Sequence, residues 1–244
     1  MVYIRKDGRS PNQIRPLEFT PRYIEKAYSS CLVKCGATWV LCTASLIRGV
    51  PSWKEGQGGG WLTAEYDMFP ASSGEGRSIR DRVRGQTSAR SQEIQRLVGR
   101  ALRAITDLSL FDGWTIWIDA DVLQADGGTR TSAINGSIVA LYYAFSRMKR
   151  DGLVSSFPLK DFAGAVSIGI VEGTPLVDLS FNEDSHADVD MNIVMTKGGE
   201  IIEIQGTAEK KPFSKEMLNT MLNMAEKAIK DIIKKQIKAM GIEK

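Results

Sequence analysis

The stretch DADVLQADGGTRTSAINGS, residues 119–137, constrains this chain more than any other. Just before and within it, Ile116, Ile118, Ala120 and Val122 alternate with Trp117, Asp119 and Asp121, the period of two that marks a half-buried strand. The run breaks at Gly127-Gly128, a strong turn signal. Thr131 or Ser132 is then placed to cap a helix. Strand, glycine turn, arginine and helix start follow one another, and that order has a chemical meaning. A helix N-terminus offers free N–H groups and the positive end of the helix dipole. Glycines let the backbone approach an anion closely. Arg130 adds a planar donor fork suited to phosphate. The arrangement reads as an anion pocket, with phosphate as its natural occupant. The plainer alternative is a strand-turn-helix junction with a surface arginine.

Elsewhere strands and helices alternate. Residues 1–22 read as an extended arm with Pro11, Pro16 and Pro21. Ser29–Leu46 gives two strands about Gly36, and residues 49–61 form a glycine-rich loop without the Gly-Lys-Ser/Thr of a nucleotide-binding loop. A short strand at 62–68 precedes an arginine-rich loop at 71–88. The spacing predicts a helix over Ser88–Ile105, with Ile94, Leu97, Val98, Ala101, Leu102 and Ile105 on one stripe. Arg96, Arg100 and Arg103 fall on its opposite face. Arg90 sits at the edge of the buried stripe, where a charge needs a partner or an anion unless it reaches solvent from the first turn. A nearly apolar helix at Ile134–Met148 and a linker at 150–162 follow. Then come strands at 163–173 and 174–182, strands at Val189–Thr196 and Glu200–Gln205, a glycine turn at 206–208 and a long helix from Ser214 to about Met240. Strands followed by helices occur twice. The expectation is one domain of two related halves, approximately 1–150 and 151–244.

A length of 244 residues suits one large domain or two closely packed halves. No apolar run reaches the roughly 18 residues of a membrane span. The first residues lack the apolar segment of a secretion signal, so the expected location is the cytoplasm. Net charge is only +3, but it is unevenly placed. Residues 75–103 carry arginines at 77, 80, 82, 84, 90, 96, 100 and 103 against Glu75, Asp81 and Glu93. A basic strip on a near-neutral protein suggests a polyanionic partner, the alternative being a solvated helix face. Cys31, Cys35 and Cys42 read as buried reduced thiols rather than zinc ligands, since the lone His186 is far away in sequence.

Residues 172–196 carry six acids and no lysine or arginine. On the strand after residue 188, Val189, Met191, Ile193 and Met195 face one way, and Asp188, Asp190 and Asn192 face the other. Asp184, on the preceding loop, is close enough in sequence for a tight turn to bring it to Asp190. Paired acids bind Mg²⁺ through oxygen ligands. Alternatively, one raises the other's pKa and makes it a proton donor. An acidic surface loop is the bland reading. Phosphate chemistry, however, needs both a clamp for negative charge and a group for the leaving oxygen.

Five runs together resemble the ribonuclease PH family: DADVLQADGGTRTSAI, SARSQEIQRLVGRALRAI, EDSHADVDMN, EIQGTAE and the opening DGR…IRP. The likeness covers about residues 4–240. It implies an α+β (α/β) ribonuclease PH-like fold, two similar halves of strands packed with helices, ribosomal protein S-five domain-two-like. It also implies a phosphate-dependent 3′→5′ exoribonuclease, or tRNA nucleotidyltransferase, that trims tRNA precursors and other RNA 3′ ends and works as a hexameric ring of dimers. Inorganic phosphate is then the co-substrate, with Mg²⁺ expected at Asp184 and Asp190. The family's phosphate ligands fall on Arg90, Gly128, Thr129 and Arg130, and its catalytic acids on Asp184 and Asp190. Its tRNA contacts fall on the 77–84 loop with Arg77, Arg80 and Arg84. Gly59 and Ala71 stand where the family commonly has a lysine and an arginine, and Ala89 stands for a glycine. A catalytically silent ring subunit of an exosome-like RNA-binding assembly is the alternative. Such subunits typically lose the arginines or acids, and Arg90, Arg130, Asp184 and Asp190 are all present.

Overall fold

The computed structural model describes residues 3–242 apart from 75, 78, 80–84 and 86. Among the described residues, strands β1 (Leu17–Pro21), β2 (Ser29–Cys35), β3 (Thr38–Arg48), β4 (Trp61–Met68) and β5 (Trp114–Gln124) make one sheet in the order β1-β2-β3-β5-β4. All its pairings are antiparallel except β4 with β5, which run parallel. Helix α1 (Ala89–Ala104) makes the crossover that a parallel pair requires and packs on β4. The second sheet orders β6 (Ala163–Val171), β7 (Thr174–Val177), β8 (Val189–Thr196) and β9 (Ile201–Ala208) as β7-β6-β8-β9, all antiparallel. The two halves are therefore alike in content but not in connection. In the first, the later strand of the hairpin pairs with the next strand. In the second, the earlier one does.

Helix α2 (Thr129–Arg150) packs on β2 and β3 of one sheet and on β6 of the other. Helix α4 (Lys215–Met240) packs on β6 and also reaches β1. One apolar core runs through both sheets and these helices. The boundary expected near residue 150 thus lies at the end of a helix shared by both halves. Glycines set the approach: a Cβ at Gly136 of α2 would lie 2.7 Å from Cys42 Sγ and 2.8 Å from Val33 Cγ1. Any side chain there would push the helix off the first sheet and move its N-terminus.

Several local readings hold. Ser88 caps α1, its Oγ accepting from Ser91 N–H at 3.1 Å, and the buried face is Ile94, Leu97, Val98, Ala101 and Leu102. Ser214 and the left-handed Gly241 bound α4. Cys31, Cys35 and Cys42 are free and buried. Burial pushes the Cys35 and Cys42 thiols up to about 12.

Others need correction. Helix α2 starts at Thr129 with left-handed Gly128 as its cap, so Thr131 and Ser132 are buried inside it and cap nothing. Strand β7 stops at Val177 because Asp178 takes a left-handed φ of 54°, and Phe181–Asp184 is a single helical turn, α3. Gly206, Thr207 and Ala208 belong to β9. Gly206 is small because a Cβ there would lie 2.6 Å from Met191 Cγ across the ladder. Arg103 folds back over Trp61, 4.8 Å from the ring centroid, and donates to Leu62 O at 2.9 Å instead of standing in solvent. No helix among the described residues is long and apolar enough to cross a membrane.

Candidate functional site

The glycine turn forms the floor of a cavity of about 240 Å³ whose walls come from both halves. Gly127 and Gly128 both have positive φ, 73° and 65°. A Cβ on Gly127 would lie 2.5 Å from Leu179 O and 2.8 Å from Phe181 N, so only glycine lets the turn press against the start of α3. The first intrahelical bond of α2 joins Ser132 N–H to Gly128 O at 3.0 Å. The N–H groups of Thr129, Arg130 and Thr131 therefore have no helical acceptor. From Thr129 to Leu141, Arg130 is the one residue of α2 that is not buried. It lines the cavity with Gly128, Thr129 and Arg90. The Tyr66 hydroxyl donates to Thr129 Oγ1 at 3.0 Å, which ties the helix start to β4.

Arg90, in the first turn of α1, is exposed rather than half-buried. The burial cost inferred from its position on the stripe does not arise, yet the residue reaches the same cavity. Glu93 lies 3.6 Å from Arg130. A partner at that distance leaves the guanidinium fork available to an anion.

The carboxylates close the opposite wall. Asp184, at the end of α3, and Asp190, on β8, both line the cavity, as does Asn192. Burial and the charge of Asp184, with a smaller contribution from Glu209, push the Asp190 carboxyl up to about 6, against Arg130 and Arg90, which lower it. Burial also raises Asp184, opposed by Arg130 and Arg90. Both arginines act on both acids, so the four groups share one electrostatic environment. Among the described residues no three His, Cys, Asp or Glu side chains gather as a metal cage. Mg²⁺ needs only one or two carboxylates because it keeps several waters. A pair of acids held up by burial fits such an ion.

What fixes this geometry is a buried ion network that the sequence reading missed. The N-terminal segment, expected as a simple extended arm, folds back to place Arg5, Arg9 and Arg15 against Asp178 and Glu183. Arg5 donates to both Glu183 oxygens at 2.8 and 2.7 Å and to the carbonyls of Val177 and Asp178 at 2.8 Å. Arg15 grips Asp178 at 2.7 and 3.0 Å and also donates to the carbonyls of Asp126 and Gly127. Arg15 thus joins the glycine turn to the segment leading into α3. Burial opposes the Asp178 charge, but the hydrogen bonds and charge of Arg15, aided by Arg9, outweigh it and hold the carboxyl below its ordinary value. Glu183 is held low in the same way by Arg5. Loss of either partner would leave a buried charge alone, at a cost of about 3–5 kcal/mol.

The remaining expected positions separate. Asp188 does not line the cavity but lies 3.4 Å from Lys210. His186 is exposed, its Nδ1 against Asn182 O at 2.8 Å and Ser185 Oγ at 3.0 Å, and it stays out of the cavity. Arg77 is exposed, while Arg80 and Arg84 lie outside the described residues. Phe181, 64% exposed at the cavity wall, was not foreseen, because residues 174–182 read as a strand.

Residues 13–145 match the 3′ exoribonuclease family, domain 1, and residues 161–228 match the same family's domain 2. The chain is 47% identical to a ribonuclease PH of Syntrophomonas wolfei, over 98% of this chain and 99% of that one. It is 48% identical to a ribonuclease PH of Moorella thermoacetica, over 98% of this chain and 95% of that one. Among solved structures, a chain of the Archaeoglobus fulgidus exosome with RNA bound to the active site has a TM-score of 0.80 at 24% identity, covering 95% of this chain and 92% of its own. A chain of an archaeal exosome core has a TM-score of 0.74 at 24% identity, covering 96% and 90%.

Proposed function

The chain belongs to the 3′ exoribonuclease family, and from that membership we infer that it shortens RNA from the 3′ end by phosphorolysis, as a tRNA nucleotidyltransferase. Inorganic phosphate is a substrate. One of its oxygens attacks the phosphorus of the last phosphodiester, the bond to the upstream 3′-oxygen breaks, and a nucleoside 5′-diphosphate leaves. The upstream 3′-oxygen takes a proton, and the shortened RNA ends in a hydroxyl. In reverse, a nucleoside diphosphate extends the RNA and phosphate is released.

The observation that carries this reading is the single cavity with donors on one wall and raised carboxyls on the other. We assign the phosphate to Gly128, Thr129, Arg130 and Arg90. The free N–H groups and the two guanidinium forks hold it by charge-assisted hydrogen bonds and orient one oxygen toward the scissile phosphorus. Asp190, whose carboxyl retains its proton to a higher pH than usual, is placed to deliver a proton to the departing 3′-oxygen. Asp184 sustains that shift and completes the wall. Asp184 and Asp190 would also hold Mg²⁺, whose charge would stabilise the developing alkoxide. Phe181, exposed at the wall, offers a ring on which a base can stack. A short 3′-labelled RNA, incubated with and without inorganic phosphate, tests the reading. Shortening that requires phosphate supports it, and shortening without phosphate contradicts it.

The arginine-rich segment supplies the RNA path outside the cavity. Changing Arg77, Arg80 and Arg84 together to alanine should weaken tRNA binding and reduce the slope of log affinity against log salt by about 2–3, near 0.9 for each lost phosphate contact. Turnover of a very short RNA should suffer less. Equal loss on both substrates in a binding and turnover comparison would place these arginines in the support of the site instead.

The working form is a hexamer built as a trimer of dimers. Large apolar side chains remain exposed, among them Ile47 at 50%, Trp53 at 57% and Ile201 at 52%, as expected of surfaces that another copy covers. Light scattering at micromolar protein should give several times the chain mass of 26.9 kDa. A clean monomer would refute the assembly.

A further inference from the structure

A second cavity, of about 420 Å³, adjoins the first, and Arg130, Asp190 and Asn192 line both. Its other walls include Glu93 of α1, Gln205 of β9 and Glu209 just beyond that strand. The chemistry differs from that of the phosphate clamp. Glu93 and Glu209 join Asp190 here, against Arg130, which Glu93 already approaches to 3.6 Å. Gln205 adds a buried side-chain oxygen, Oε1, that has no hydrogen-bond partner among the described residues. Acceptors dominate, and the charge balance is negative. Such a chamber repels a phosphate and welcomes an uncharged group that presents hydroxyl donors.

An RNA substrate offers one group of that kind at its reacting end. The terminal ribose has both its 2′- and 3′-hydroxyls free. Every upstream ribose has its 3′-oxygen in a phosphodiester and carries the negative charge with it. Acidic side chains that accept from ribose hydroxyls are a familiar solution to the same problem in dinucleotide sites. The shared walls also place the chamber beside the attacked phosphorus, and the terminal ribose is joined to that phosphorus through its 5′-oxygen.

We propose that this second cavity is the subsite for the free 2′,3′-diol of the terminal nucleotide, with Glu209 as its principal acceptor and Glu93 and Gln205 flanking it. The enzyme then holds phosphate with donors and recognises the RNA end with acceptors, on the two sides of Arg130 and Asp190. The proposal rests on the phosphorolytic reading above and names the substrate group that reading leaves unplaced.

Two short RNAs that differ only in the last sugar, ribose or 2′,3′-dideoxyribose, test it through kcat/KM for phosphate-dependent release of the terminal nucleotide. The wild type should prefer the ribose end by about ten- to a hundredfold, the worth of hydrogen bonds to a charged acceptor. Glu209→Ala, at an exposed position outside the core, should erase most of that preference, and Glu209→Gln should keep part of it. An RNA with 2′-deoxyribose only at the penultimate position should respond to none of these changes. A purely structural role for Glu209 would lower both rates together and leave the ratio intact, which would overturn the proposal. So would a wild type that processes both ends equally. If the wild type forms no nucleoside diphosphate even from the ribose-ended RNA, the phosphorolytic reading itself has failed. An active wild type with an unchanged ratio in Glu209→Ala means that the subsite alone has failed.

Discussion

Asp190→Asn should abolish phosphorolysis of a short RNA, by about 10²–10⁴-fold, the range that a positioned general acid contributes. The change keeps the shape of the side chain and removes its proton and charge. Asp184→Asn should also be severe, because Asp184 is a main support of the raised Asp190 carboxyl. RNA binding should be intact or slightly tighter in both, since repulsion of substrate phosphates falls. His186→Ala should do little, as its ring lies outside the cavity. Stability supplies an independent check with a definite sign. Asp190 has a folded-state value raised from 3.8 to about 6. The stability contributed by its neutral form is fully present below 3.8 and is lost as pH rises through 6. At pH 8 the charged carboxylate costs stability that asparagine does not. Asp190→Asn should therefore melt about 2–4 °C higher at pH 8 for each kcal/mol so relieved, with no gain near pH 4. Near-normal turnover in Asp190→Asn would remove the carboxylates from the chemistry.

Arg130→Ala should raise the phosphate concentration needed for half-maximal rate and slow the reaction, together by about ten- to a hundredfold, from charge-assisted bonds worth roughly 1.5–3 kcal/mol each. Arg90→Ala should act in the same direction. Both side chains stand clear of the core, so circular dichroism and melting temperature should change little. Arg130→Lys should rescue poorly, because an ammonium cannot reproduce the two-point fork on phosphate. The kinetic signature matters as much as its size: saturation by phosphate should shift while the dependence on RNA stays nearly fixed. If phosphate dependence is unchanged in both alanine variants, the clamp lies elsewhere.

The parts of this architecture that could be read in the sequence are those written in local pattern. The strand into Gly127-Gly128, the apolar stripe of α1 and the acid pair around α3 and β8 each depend on residues within a few positions of one another. Gathering Asp184 and Asp190 beside Gly128 and Arg130 needed only that two strand ends meet, and the matching chemistry of the two segments suggested it. What could not be read depends on partners far apart in the chain. Arg15 and Asp178 are 163 residues apart, and Arg5 and Glu183 are 178 apart. Nothing near the arm announces that its arginines will be buried. Asp178 interrupts β7 because those arginines claim it, which also turns the expected strand residue Phe181 into a wall of the site. Gly206 resembles a turn glycine in sequence, yet it is a strand residue crowded by Met191. The exposure of Arg90 follows from how α1 sits on β4, which its position on the stripe does not determine.

The most direct measurement follows the phosphate itself. The protein is incubated with a defined RNA bearing a 3′-hydroxyl and with isotopically labelled inorganic phosphate, and the released mononucleotides are analysed by mass. Phosphorolysis by this site predicts nucleoside 5′-diphosphates with the label in the β-phosphate, one for each nucleotide removed, and no release when phosphate is withheld. Nucleoside 5′-monophosphates formed without incorporation of label would show that water is the nucleophile, and would contradict the account.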